Sequence, residues 1–287
     1  MKRSILTGFM CVVLLSGCML GSDVMVRSLV KPSPAIVRMN YMLEADPRMP
    51  NGTENSLLFL ALKAQVVKVL ASKGFVEVNQ NDSDYLINAA RAKVLNMMIS
   101  KGIIKEPEGV VVPGQDIPSL QELIQTAIAN GCTRREMESA LAGLPVTICL
   151  YYKVRFFNGP SGYTLNAQTQ NFGPFQNLTG EIVPHVNTTA ASIIGLLAWD
   201  TSEVLLTGGR FVLKPNGLLD IKGGQQTWAW SVLGVMINSS GDIQRDFPYL
   251  LAAIKPYIGT STGKMIEVRL TSDDKRVIEI NHILDGN

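Results

Sequence analysis

Histidine is the side chain that proton-transfer chemistry near neutral pH recruits most often, and this 287-residue chain carries two, His185 and His282. They lie 97 positions apart, each without a neighbouring nucleophile motif. Ser161-Gly162 and Thr207-Gly208-Gly209 lack the strand-turn-helix GxSxG setting that activates a serine. Gly208-Gly209 and Gly223-Gly224 lack the lysine and following helix of a phosphate-binding loop, and read as turns. Asp273-Asp274 and the Glu106/Glu108 pair fall in polar, loop-like surroundings, where nothing in the spacing faces one carboxylate against another. There is no CxxC, so Cys132, Cys149, His185 and His282 do not form a zinc-site pattern. The chain therefore reads as a binding protein with no catalytic residues, no metal and no cofactor.

One cysteine has an informative setting. Leu15-Ser16-Gly17-Cys18 ends an apolar stretch, Ile5 to Leu15, that follows Met1-Lys2-Arg3. The stretch has signal-peptide length and falls well short of the ~20 residues of a membrane-spanning helix. An ordinary secretory cleavage site wants small residues at both the first and third positions before the cut, and Leu15 does not fit. The four residues resemble the lipobox of bacterial lipoproteins. That resemblance implies removal of residues 1–17, acylation of Cys18 and attachment to a membrane; Met19, not Asp, at the next position implies the outer membrane, periplasmic face. Each buried CH₂ contributes roughly 0.8 kcal/mol, so two or more acyl chains anchor stably where one does not.

Of the 26 basic residues, Lys2 and Arg3 lie in the leader, leaving 24 basic against 24 acidic residues. This balance, with no basic run, speaks against nucleic acid as partner. With Cys18 acylated, Cys132 and Cys149 remain, 17 positions apart. In an oxidising periplasm they suit a disulfide worth roughly 3 kcal/mol by loop closure, the alternative being two buried thiols.

The elements that would position these residues follow from periodicity. Residues 18–34, ending in Lys31-Pro32-Ser33-Pro34, read as an extended tether. Val37, Met39, Tyr41 and Leu43 alternate as a first strand. Asn55 to Lys73 reads as a helix with Leu58, Leu62, Val66 and Val69 on one face and Gly74 as its stop. After a polar loop, Tyr85-Leu86-Ile87 begins a strand, completing a β-α-β start. Ser119/Glu122 and Thr133/Glu136 are consecutive capping-box patterns, predicting two short helices joined at Gly131-Cys132. Val146 to Phe157 alternates as the clearest strand, and Ala190 to Trp199 is a buried helix or strand. Asn158 to Asn187 is rich in Gly, Asn, Gln and Thr and reads as a long loop. Arg210–Lys214 and Leu218–Lys222 flank Pro215-Asn216-Gly217 as a hairpin, and Thr227 to Asn238 is a strand. Asp246 caps a helix through Lys255, with Pro248 in its first turn; Met265–Thr271 and Val277–Ile283 form a closing hairpin.

Gly74-Phe75, Ser83-Asp84-Tyr85-Leu86-Ile87, and Gly217-Leu218-Leu219-Asp220-Ile221 before Trp228 together resemble the DUF4136 type of periplasmic lipoproteins. The resemblance covers about residues 35–94 and 205–258, and departs from the family in Trp228-Ala229-Trp230. It implies an α+β envelope domain without a known activity. The expectation is a single α+β domain over 35–287, a mainly antiparallel sheet with packed helices and an insertion at about 95–204. Its expected role is a binding or assembly module of the cell envelope, with an envelope protein as partner. A carrier or chaperone for an apolar ligand is the alternative, and an envelope hydrolase a third reading. The first contact region to consider is the 158–187 loop with Trp228 and Trp230, whose alternation places both indoles on one strand face.

Overall fold

The most apolar runs of the chain, Ala190–Trp199 and Trp228–Ile237, become neighbouring inner strands of a seven-stranded sheet. A strand buried on both faces reads as a continuous apolar run, which is why these segments show no alternation. The computed structural model describes residues 21–30, 39–78, 80–105, 118–156, 190–208, 210–213, 219–222 and 228–286.

In chain order the strands are β1 (Ser22–Val30), β2 (Asn40–Ala45), β3 (Val76–Glu77), β4 (Val146–Phe156), β5 (Ala190–Trp199), β6 (Arg210–Leu213), β7 (Leu219–Lys222), β8 (Trp228–Ile237) and β9 (Ile266–Leu270). The helices are α1 (Leu57–Ser72), α2 (Gln80–Ser100), α3 (Leu120–Ala129), α4 (Arg134–Leu141), α5 (Thr201–Leu206), α6 (Ile243–Ile254) and α7 (Lys275–Asp285). The sheet runs β3-β2-β4-β5-β8-β1-β9, with β6 and β7 as a separate antiparallel pair. Pairing is parallel along β3-β2-β4 and antiparallel elsewhere, so the α+β class with a mainly antiparallel sheet holds.

One face of the sheet is covered by α1, α6 and α7, which bury Leu62, Val66, Phe247, Leu250, Ile254, Val277 and Ile280 against Val24, Val26, Ile148, Ile194 and Val232. Burial of each such side chain stabilises by roughly 1.5–3 kcal/mol. Helix α6 comes close because position 234 is glycine: a Cβ there would lie 2.8 Å from Ile254 Cγ2. On the opposite face Ala191, Ile193, Leu233 and Val235 form a second apolar cluster with Met25, Leu29, Tyr151 and Met265. Helices α2 to α5 build a core of their own from Ala90, Val94, Met98, Leu123, Ile124, Met137, Leu141 and Leu205.

The local signals for α1, α3 and α4 are realised. Ser56 caps α1 by accepting from Phe59 N, and Gly74 beyond its end takes φ 83°, a conformation glycine adopts without Cβ strain. Ser119 and Thr133 close reciprocal capping boxes with Glu122 and Glu136. The antiparallel β6–β7 pair and strands β4, β8 and β9 lie where expected, the turn at Pro215-Asn216-Gly217 falling outside the described residues, and the Ala190–Trp199 run resolves to strand.

Five readings need correction. The expected tether contains β1, an inner strand paired with β8 and β9; Val24, Val26 and Ser28 are buried in alternation with Met25, Arg27 and Leu29. The expected insertion at 95–204 supplies β4 and β5, so it is integral to the sheet. Tyr85-Leu86-Ile87 lies in α2, whose buried Ala90, Val94 and Met98 follow a four-residue period; the β-α-β unit is completed by Val76–Glu77, parallel to β2. Val277–Ile283 is helix α7, capped by Asp274, with Val277 and Ile280 buried three apart. Helix α6 starts earlier than expected: Asp242 caps it by accepting from Gln244 N at 2.9 Å, which puts Pro248 inside the helix.

Candidate functional site

The ladder β4-β5-β8 has two ends. At one, Phe156 lies opposite Ala190 and Ala191 opposite Ile237; at the other, Thr147 lies opposite Trp199 and Trp199 opposite Trp228. All three tryptophans of the chain, Trp199, Trp228 and Trp230, thus gather at one end, followed in sequence by α5 or preceded by the β6–β7 hairpin. Trp199 is the member that sequence reasoning missed. It closed an apolar run and showed no pairing signal to Trp228.

The expectation of two indoles on one face is corrected by a bulge. Ala198 opposes Trp230 and Trp199 opposes Trp228, so Ala229 is the extra residue and simple alternation fails between the tryptophans. Trp230 is buried, packed edge-on against Phe75 at 6.0 Å, and Phe75 packs in turn on Tyr41 at 6.3 Å. Trp228 and Trp199 are half-buried. Trp230 Nε1 and Tyr41 Oη are buried and have no hydrogen-bond partner among the described residues. Burial pushes the Tyr41 phenol well above its ordinary range, and the Glu77 carboxylate adds to this.

The edges of this end are fixed by charge. Asp200 caps α5, accepting from Ser202 N at 3.1 Å and Glu203 N at 3.3 Å. Arg134, at the start of α4, pairs with Glu203 of α5 and with Glu138 at 2.9 Å, joining the helical module to the strand end. Lys101, after α2, pairs with Glu136 at 2.8 Å; with the Thr133 cap this holds the Glu136 carboxyl down at about 2. On the sheet face opposite α6, Arg48 lies over the Tyr151 ring at 5.4 Å while Asp46 grips its guanidinium.

The expected contact region is divided by the topology. The segment 158–187 leaves from Phe156 and returns at Ala190, whereas Trp228 and Trp230 stand at the other end of β5. Nine residue steps of strand, about 30 Å, separate these ends. The 158–187 loop itself, His185, Ser161-Gly162, Gly223-Gly224 and Cys18 lie outside the described residues.

The remaining chemistry-bearing residues are dispersed. His282 is exposed on α7 rather than on a strand. Ser192 Oγ donates to Asp246 at 2.6 Å in a buried pair, and Asp246 also accepts from Ser240 N at 3.1 Å. Asp246, expected as a cap, thus ties α6 to β5 and to the turn before the helix. Cys132 is buried in the helical module and Cys149 on β4 opposite Leu197; both are buried, and the expected disulfide does not join them. Among the described residues no three His, Cys, Asp or Glu side chains come together as a metal site, and no helix is long and apolar enough to cross a membrane. Comparison of the chain with protein-family models and with curated proteins gives no match.

Proposed function

We propose that this protein is a lipid-anchored periplasmic lipoprotein of the outer membrane that works as a binding or assembly module of the cell envelope. The observation that carries the reading is Leu15-Ser16-Gly17-Cys18 behind a short apolar stretch and two basic residues. The kinship with DUF4136-type lipoproteins belongs to the same proposal and rests on two segments: Gly74-Phe75 after α1, and the β7 strand before Trp228. The third, Ser83 to Ile87, opens no strand.

The partner contact in this reading is the tryptophan end. Half-buried Trp199 and Trp228 offer apolar area on a rigid ladder, which is where interface energy concentrates. A second reading, a carrier for an apolar ligand, draws on Tyr41 Oη and Trp230 Nε1, two buried polar groups in an aromatic cluster without partners among the described residues.

Growth with an alkyne fatty acid should label the wild-type protein and leave Cys18→Ala unlabelled; equal labelling overturns the anchor. Photo-crosslinking from position 228 in intact cells should capture a discrete envelope protein, and crosslinks no richer than those from exposed Asn130 overturn the contact surface. Lipid mass spectrometry of the gently purified protein tests the carrier reading, for which a stoichiometric non-covalent lipid is the required result.

A further inference from the structure

The start of β1 has a geometric consequence for the anchored protein. Gly21 is held against the sheet, where a Cβ would lie 3.3 Å from Arg269 Cγ, and Ser22 already pairs with Leu270. Three residue steps separate Cys18 from Gly21. Their full extension is about 11 Å, while the headgroup layer on one side of a bilayer is roughly 5–8 Å deep. An acylated Cys18 at the base of that layer leaves only a few ångströms of slack.

We propose that the protein stands directly on the membrane, with the sheet end that carries Ser22 as its lipid-contacting surface and the tryptophan end facing away. The placement rests on the lipoprotein reading of Cys18. Among the described residues the same end carries Asp23, Phe156, Ile237, Ala190 and the turns at 238–242 and 271–274; residues 157–189, which connect Phe156 to Ala190, lie outside the described residues. Phe156 is 67% exposed there, beside Gly241, a large apolar ring among polar turn residues. Arg245 and Lys275, in the first turns of α6 and α7, are exposed at this end and are balanced there by exposed Asp242 and Asp273, so the placement rests on the reach from Cys18 and on Phe156 rather than on net charge. Arg269 and Arg276 are neutralised locally by Asp23 and Asp274. With β5 spanning about 30 Å, the α2–α5 module and Trp228 are held that far from the lipid, at a fixed orientation. A long flexible tether would leave both the height and the orientation unset.

The test uses full-length acylated protein in vesicles of phosphatidylethanolamine and phosphatidylglycerol (3:1) doped with nitroxide-headgroup lipid. A maleimide fluorophore is attached under native conditions, in which Cys132 and Cys149 are buried, to Ser240→Cys, Ser272→Cys or Asn130→Cys. Ser240 and Ser272 lie in the turns of the β1-start end; Asn130 lies in the α3–α4 connection of the distal module. Quenching at 240 and 272 should exceed that at 130 at least threefold. Inserting twelve Gly/Ser residues between Leu20 and Gly21, which adds roughly 20 Å of root-mean-square reach, should abolish the difference. Equal quenching at the three sites in protein whose intact mass shows acylated Cys18 overturns the placement alone. A mass without acyl chains overturns the lipoprotein reading on which it rests.

Discussion

Gly234→Ala should destabilise the protein through one contact. Gly234 lies on β8 between Ile194 of β5 and Val26 of β1, under helix α6. An added Cβ would stand 2.8 Å from Ile254 Cγ2, 3.3 Å from Ile194 Cγ2 and 3.6 Å from Leu250 Cδ2. Ordinary carbon contacts begin near 3.5 Å, so the first is short by more than half an ångström. Ile254 Cγ2 is bonded directly to a Cβ on a helix, and cannot swing away as a chain terminus can. Overpacking of this kind costs about 1–3 kcal/mol. The loss of unfolded-state freedom on replacing glycine returns about 0.4–1 kcal/mol. A branched methyl at 2.8 Å puts the overpacking cost in the upper half of its range, about 2–3 kcal/mol, so the balance is a destabilisation of about 1–2.6 kcal/mol, which for a chain of this size lowers the melting midpoint by about 2–10 °C. Differential scanning calorimetry or urea unfolding at constant m-value reads it. Ile254→Ala removes the clashing methyl at its own cost of about 2–5 kcal/mol. In that background, Gly234→Ala should cost at least 1 kcal/mol less than it does alone. A Gly234→Ala protein as stable as wild type, or an unchanged cost in the Ile254→Ala background, refutes the argument that position 234 sets the helix-to-sheet distance.

Tyr41→Phe removes a buried hydroxyl with no partner among the described residues, and should leave the melting midpoint unchanged or raise it by a few degrees; a fall of that size would reveal a partner for the hydroxyl. Asp246→Ala leaves Ser192 Oγ and Ser240 N without their acceptor and should cost about 2–4 kcal/mol in urea unfolding, where Ser192→Ala costs less. Glu136 and Asp274 are both held at about 2, below their ordinary values, the first by Lys101 and Thr133, the second by Arg276. Depressed carboxyl values mean stability present above about pH 4.5 and lost as pH falls toward 2. Melting midpoints should therefore drop more steeply across pH 4.5 to 2.5 in wild type than in Glu136→Gln; parallel curves count against the Lys101 pairing.

The α+β class, the two capping-box helices, α1 with its glycine stop, and strands β4, β8 and β9 were legible in the sequence because each rests on a local signal. Ser119 with Glu122, or the alternation through Val146–Phe156, acts within a few residues and needs no distant partner. The segment Val277–Ile283 misled because Val277, Ile280 and Ile283 fit a helix while the same apolar-rich stretch also accommodates alternation; packing against α6 selects the helix. In β1 the sequence shows no sustained alternation, because Ser28 shares the buried face with Val24 and Val26 while Met25 and Leu29 lie on the other; the prolines just beyond suggested a spacer, and pairing with β8 and β9 decided the outcome. The acylation proposed at Cys18 likewise rests on a local signal, the four residues Leu15 to Cys18 behind a short apolar stretch. What only the tertiary structure decided is the company each residue keeps: Trp199 beside Trp228, a bulge that separates Trp228 from Trp230, and Asp246 against Ser192 across 54 positions. These juxtapositions depend on strand order and register, and register is fixed by summed burial across the sheet, a quantity that no window of neighbouring residues contains.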